Sequence, residues 1–175
     1  MGFDLSGCNP KMNKKLDDTT VYGMIKSIEN WEDQHRLYDA LDDKEKSTYW
    51  KQDEKHHDTN PGVYFRNNVW WWRPLWDYVS SSCEDFLTDK DIRGGNYNDG
   101  YKISKTKALK ISERLNLHLD TGIVDKYKKN HDKQLEKMKA SEDKDVKFFA
   151  NYPFDKENVI RFALFCKESG GFIIC

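Results

Sequence analysis

Apolar positions recur at intervals of three and four along most of the chain and alternate with polar ones only near its two ends. Phe3 and Leu5 alternate with polar neighbours in the opening GFDLSG, the period of a short strand. At the other end Gly170-Gly171 interrupts the chain before Phe172-Ile173-Ile174, an apolar, largely β-branched run that also reads as a strand. Two lone strands each need an edge to pair with, so the pattern predicts that the N- and C-terminal segments pair with each other.

Between these ends the pattern is helical. Val21, Tyr22, Met24, Ile25 and Ile28 carry a loose 3.6-residue period that Trp31, Leu37, Tyr38 and Leu41 extend, predicting helices over about 19–30 and 33–56. The second is almost entirely charged beyond Asp42, and Asn60-Pro61-Gly62 closes it with a turn. Pro74 suits the first position of a helix, where its missing N–H costs nothing, and Leu75, Tyr78, Val79 and Ser82 follow at helical spacing, predicting a helix from Pro74 to Leu87. Ser104 reads as an N-cap ahead of the Ala108, Ile111, Leu115, Leu119 stripe, which ends near Gly122. Val124, Tyr127, His131, Leu135 and Met138 form a further stripe running to about Ala140. Asp155 is an N-cap flanked by Phe154 and Val159 in staple spacing, and Val159, Phe162, Ala163 and Cys166 mark a helix central to the core, stopped by Gly170. The expected fold is therefore mainly α. It is a compact helical domain of five or six helices spanning 1–175, with a minor two-stranded β pairing of its N- and C-terminal segments and a charged helical insertion over 17–60.

Composition sharpens this picture. Charged residues make up 34% of the chain and its mean hydropathy is −0.93, yet it carries six Trp, nine Tyr and nine Phe. Disordered segments lack such aromatic content, so the core should be small and rich in ring area. The 29 basic and 30 acidic side chains are interleaved, leaving no global field for nucleic acid or an anionic membrane. The most basic run, Lys126–Lys139, contains Asp132 and Glu136 and reads as a solvated helix face. Cys8, Cys83, Cys166 and Cys175 form no C-x-x-C pair, so zinc-finger spacing is absent. No secretory leader or membrane span is legible, and the expectation is a cytoplasmic chain with free thiols.

The most unusual stretch is Tyr64–Tyr78, YFRNNVWWWRPLWDY, with four tryptophans in seven residues. Neither a helix nor a strand can turn Trp70, Trp71 and Trp72 to one face. Buried indole N–H groups need acceptors, and Asn67, Asn68 and Asp77 are at hand. Indole faces stack on planar groups, and Arg66 and Arg73 can grip a phosphate or carboxylate with two parallel hydrogen bonds. The alternative is that the tryptophans fill the core and the arginines cover them through cation–π contacts.

These residues carry a resemblance. YFRNNVWWWRPLW, the later NYNDG, and YPFDKENVIRFALFCKESGGFIIC resemble a family of small uncharacterised proteins from bacteriophages and bacteria, whose members open as MGFDLSGCNPK does here. Relatives carry a glycine-rich pair of C-x-x-C motifs ahead of the C-terminal helix. In this chain Ser141–Val146 stands at that place without cysteine, so the resemblance brings no zinc site with it. Segment 17–60 reads as an insertion relative to shorter members. A bacteriophage setting implies a role against host defence, either sequestering a nucleotide signal or inhibiting a defence protein.

The function expected from these readings is a non-enzymatic, sponge-like binding protein. Arg66, Asn67, Asn68, Trp71 and Arg73, with Tyr97 and Asn98, would line a pocket for a small planar anionic ligand of nucleotide type. A host protein contacted by exposed Trp and Arg is the alternative partner, an enzyme of unknown type is a third reading, and a second copy of the chain is a further candidate partner. No cofactor, metal or membrane partner is expected. His56-His57 would point apart on a helix, and His118 and His131 read as core histidines. Cys83 and Cys166 read as small buried hydrophobes. The GGNYNDG loop matches neither a P-loop nor a dinucleotide fingerprint.

Overall fold

The two strands expected at the ends of the chain do pair: β1 (Gly2–Gly7) lies antiparallel to β4 (Phe172–Ile174), with Leu5 opposite Ile174. The computed structural model, which describes Gly2–Cys175, adds two strands to them. β2 (Tyr64–Asn68) pairs with β1, and β3 (Tyr101–Ile103) pairs with β4, giving an antiparallel sheet of order β2-β1-β4-β3. The two-stranded expectation fell short because β3 is too brief to display a period. In β2 the alternation hides behind a polar inward residue, with Phe65 and Asn67 buried and Arg66 and Asn68 exposed.

The fold is mainly α, as the periodicity indicates. The described residues form nine helices: α1 (Val21–Lys26), α2 (Trp31–Asp39), α3 (Asp43–Thr59), α4 (Val69–Ser82), α5 (Asp89–Gly94), α6 (Lys105–Asp120), α7 (Ile123–Lys139), α8 (Lys144–Phe149) and α9 (Lys156–Glu168). The count exceeds the expected five or six for local reasons. Asp42 builds a capping box with Glu45, which splits the predicted 33–56 helix into α2 and α3. α5 and α8 are too short to carry a stripe. Ser104 and Asp155 cap α6 and α9 as expected, each accepting a hydrogen bond from the third backbone N–H of its helix.

Pro74 corrects a boundary. The helix begins five residues before it, because the Asn68 side chain accepts from the N–H groups of Trp70 and Trp71 and so supplies the N-cap. Pro74 therefore sits inside α4, at a cost of about 3 kcal/mol, which the burial of the surrounding face offsets.

The chain divides into two compact units, one formed by residues up to Lys11 with Pro61–Cys175 and the other by Met12–Asn60. In the first, α6 packs along α9, and α4 packs against both and against β1. The inward sheet face contributes Phe3, Leu5, Phe65, Ile103, Phe172 and Ile174 to one core with Trp72, Trp76, Phe162 and Phe165. The rings interlock: Phe3 stacks on Trp72 at 5.4 Å, and Phe162 meets Trp72 edge-on at 5.7 Å. Gly170 and Gly171 both take positive φ, 65° and 92°, a turn open to glycine that brings the chain from α9 into β4. In the second unit α1 packs on α2 and α3 around a small core of Tyr22, Ile25 and Tyr49, with Tyr22 and Tyr38 set edge-on to Tyr49.

Candidate functional site

The tryptophan-rich stretch is an N-capped helix with two unlike faces. On the inner face Trp72, Leu75, Trp76 and Val79 follow at spacings of three and four and are fully or almost fully buried. Trp72 and Trp76 stack at 5.4 Å with their planes 14° apart. Their indole N–H groups donate to the carbonyls of Gly95 at 2.7 Å and Ile92 at 2.9 Å. The acceptors are thus backbone groups at the end of α5, not the Asn67, Asn68 and Asp77 side chains expected from sequence. Gly95 is required there because a Cβ would meet the Trp76 ring at about 1.9 Å.

α5 is itself held by a buried carboxylate. Asp91 accepts from the N–H and hydroxyl of Thr88, from Tyr101 Oη and from the Lys107 ammonium. Burial pushes its pKa up, but the Lys107 contact and the hydroxyl and amide donors outweigh it, and the carboxyl lies below its ordinary value.

The outer face of α4 carries Arg73 and Asp77, both exposed, with Trp70 half-buried beside them; Trp71 is exposed on another flank of the helix. Trp70 packs against Tyr152 at 4.7 Å and against Phe148 of α8 at 5.3 Å. Between this face and α7 lies a cleft of about 330 Å³, lined by Arg73, Pro74 and Asp77 on one side and Tyr127, His131, Leu135 and Met138 on the other. Phe149, Tyr152 and Gln134 complete it. Its walls are mostly apolar, with few polar groups, the usual make-up of a small-molecule site. His131 Nε2 lies 2.8 Å from the Tyr152 carbonyl, so Nε2 carries the proton and the ring is fixed against the wall. Partial desolvation at the cleft wall raises the Asp77 carboxyl above its ordinary value, although the residue as a whole is exposed, while Arg73 and His131 pull it back down.

The seven residues singled out from sequence have separate places. Arg73 lines the cleft. Asn67 is buried and donates to Asn158 Oδ1 at 3.0 Å, and Asn158 in turn donates to the Trp71 carbonyl at 3.4 Å, joining β2, α4 and α9. Asn68 is engaged as the α4 cap. Arg66 faces Asp4 across the β1–β2 pair, Nε to Oδ1 3.4 Å. Asn98 donates to the Gly2 carbonyl, which brings it and Arg66 to the same end of β1. Tyr97, beside Asn98, is strongly exposed.

Sequence reasoning missed the α7 wall. Tyr127, His131, Leu135 and Met138 form an apolar stripe whose sequence pattern is that of a core-facing helix, and His131 within it reads equally as a core histidine. Phe149 and Tyr152 carried no periodic signal. His118 is held by Tyr78, with Oη to Nδ1 2.9 Å. Cys83 and Cys166 are buried free thiols, Cys83 pushed up to about 12 by desolvation. Among the described residues no three His, Cys, Asp or Glu side chains group as a metal-binding set, and no helix is long and apolar enough to cross a membrane.

No protein-family model, curated protein or solved structure matches this chain. Its functional reading therefore rests on the cleft and on the two faces of α4.

Proposed function

We propose that this is a non-enzymatic binding protein that takes a small planar anionic ligand into the cleft between α4 and α7. One observation carries the reading: Arg73 is the cationic group on a cleft of ligand size whose remaining walls are largely aromatic and aliphatic. A guanidinium pairs with a phosphate or carboxylate, and the Tyr127, Phe149 and Tyr152 rings offer faces for a planar base. Asp77 and Gln134 are a donor-seeking and a mixed group suited to reading a base edge. Of the residues expected from sequence, Arg73 is the one kept in the ligand-contacting role; the α7 wall supplies the rest. With the resemblance to bacteriophage proteins, the reading extends to sequestration of a nucleotide-type signal in the cytoplasm of a host cell.

Calorimetry against a panel of nucleoside mono-, di- and cyclic phosphates tests it. Saturable binding that weakens about tenfold or more in Arg73→Gln is expected, the loss of one charge-assisted contact. Absence of binding up to high micromolar concentration removes the reading.

A second reading has its own support. Trp31 and Trp50 are 70% and 57% exposed, and exposed Trp is the residue type that most often anchors protein interfaces. Inhibition of a host protein through this surface predicts capture of one defined partner that Trp31→Ala with Trp50→Ala abolishes and Arg73→Gln leaves intact.

A further inference from the structure

We infer that the 12–60 unit holds a separate anion site, for a phosphate group, between the Lys14–Thr20 segment and the last turns of α3. The site is a cleft of about 210 Å³ lined by Lys14, Lys15 and Lys55 together with Gln52, His56 and Asn60. That volume admits a phosphate and some of its water.

Much of the cleft wall is apolar, and its charged side chains are three lysines, Lys14, Lys15 and Lys55, against one carboxylate, Asp17. Among the described residues Lys15 and Lys55 form no ion pair. The acidic residue of the lining is Asp17, whose Oδ1 accepts from the Thr19 hydroxyl at 2.6 Å and the Thr19 N–H at 3.1 Å; these bonds and Lys14 hold its carboxyl below the ordinary value, so one negative charge stands against the three lysines. The Gln52 Oε1 accepts from the Tyr22 N–H at 3.0 Å, so its amide N–H groups remain to donate. The His56 ring also lies on this wall, with Nδ1 3.4 Å from the Asn60 amide nitrogen.

The arrangement is also built in place. Asn60 is fully buried. Its Oδ1 accepts from the N–H groups of Asn13 and Lys14 at 2.8 and 3.0 Å, and its Nδ2 donates to the carbonyls of Lys14 and His56 at 3.1 and 3.0 Å. One side chain thus fixes the backbone of the Lys14 segment against the end of α3, where Lys55 stands. A phosphate between the two is gripped by charges whose backbones are ordered in advance, and it relieves their mutual repulsion.

The competing account is that these lysines only complement the negative C-terminal end of α3. Titration of the full chain with inorganic phosphate and, separately, phenyl phosphate at constant ionic strength decides between them. We expect saturable binding, weakened about tenfold or more in Lys15→Gln with Lys55→Gln, retained in Lys15→Arg with Lys55→Arg, and unaltered in Arg73→Gln. Tighter binding of phenyl phosphate assigns the site to phosphate esters, and tighter binding of inorganic phosphate to the free ion. Lack of saturation by about 10 mM, or equal binding by the glutamine double variant with its helical signal intact, overturns the inference. Loss of nucleotide binding in Arg73→Gln with phosphate binding preserved separates this site from the α4–α7 cleft.

Discussion

The inner and outer faces of α4 are built from the same residue types and do opposite work. On the inner face two tryptophans stack, each indole N–H finds a carbonyl, and the rings are out of water. On the outer face Trp70 packs on Phe148 and Tyr152, and Arg73 shares a cleft with Phe149 and Tyr152, with Arg73 and Phe149 still wet. A buried indole with a satisfied N–H stabilises the fold, whereas an exposed ring beside a guanidinium has apolar area still to bury, which a ligand or partner can do. Composition cannot separate these roles; register along the helix does.

Breaking the inner face should have the largest effect. Trp72→Ala removes a fully buried ring touching Phe3, Trp76 and Phe162, and should cost about 3–5 kcal/mol in denaturant unfolding. A loss under about 1 kcal/mol would show that the ring is not the centre of the core.

Next comes the support of that face. Lys107→Met leaves Asp91 charged and buried without its cation, and should cost about 2–4 kcal/mol, discounted for the partial exposure of the lysine stem. The same pair gives a pH dependence. The folded carboxyl lies below its ordinary value of 3.8, so its stabilisation is complete above that pH and is lost as pH falls through the folded value. Asp91→Asn should be less stable than the parent near neutrality, with the gap closing in acid. A gap that is constant with pH would contradict the assignment.

Outside the inner face the effects on stability should be small. Trp71→Ala should change stability by less than about 0.5–1 kcal/mol, as expected of a surface site. Arg73→Gln should do the same while weakening ligand binding about tenfold or more. If either variant unfolds the protein, the two faces are not separable and the comparison fails.

Most of the frame was legible in the sequence, because periodicity and caps are local. Ser104, Asp155 and the Gly170-Gly171 stop act on their immediate neighbours, and the strands at the two ends carry apolar patterns plain enough to read, although each also pairs with an internal strand that does not. What was not legible depended on distant partners. Pro74 looked like a helix start because its own chemistry permits that, but the Asn68 cap acts first and burial of the inner face carries the helix through the proline. Asn67 looked like a reader of ligand edges because nothing in the sequence reveals Asn158 beside it, 91 positions further along. The cleft suffered most: its second wall belongs to α7, whose stripe is indistinguishable in sequence from a core stripe.

The most direct test of the division of labour follows side-chain and backbone NMR signals during titration with a nucleoside monophosphate. The account predicts progressive shifts of Arg73 Nε–H and of Tyr127, Phe149 and Tyr152, with the indole N–H signals of Trp72 and Trp76 unmoved. Shifts led by Trp72 and Trp76, or no shift at any of these positions at millimolar nucleotide, would contradict it.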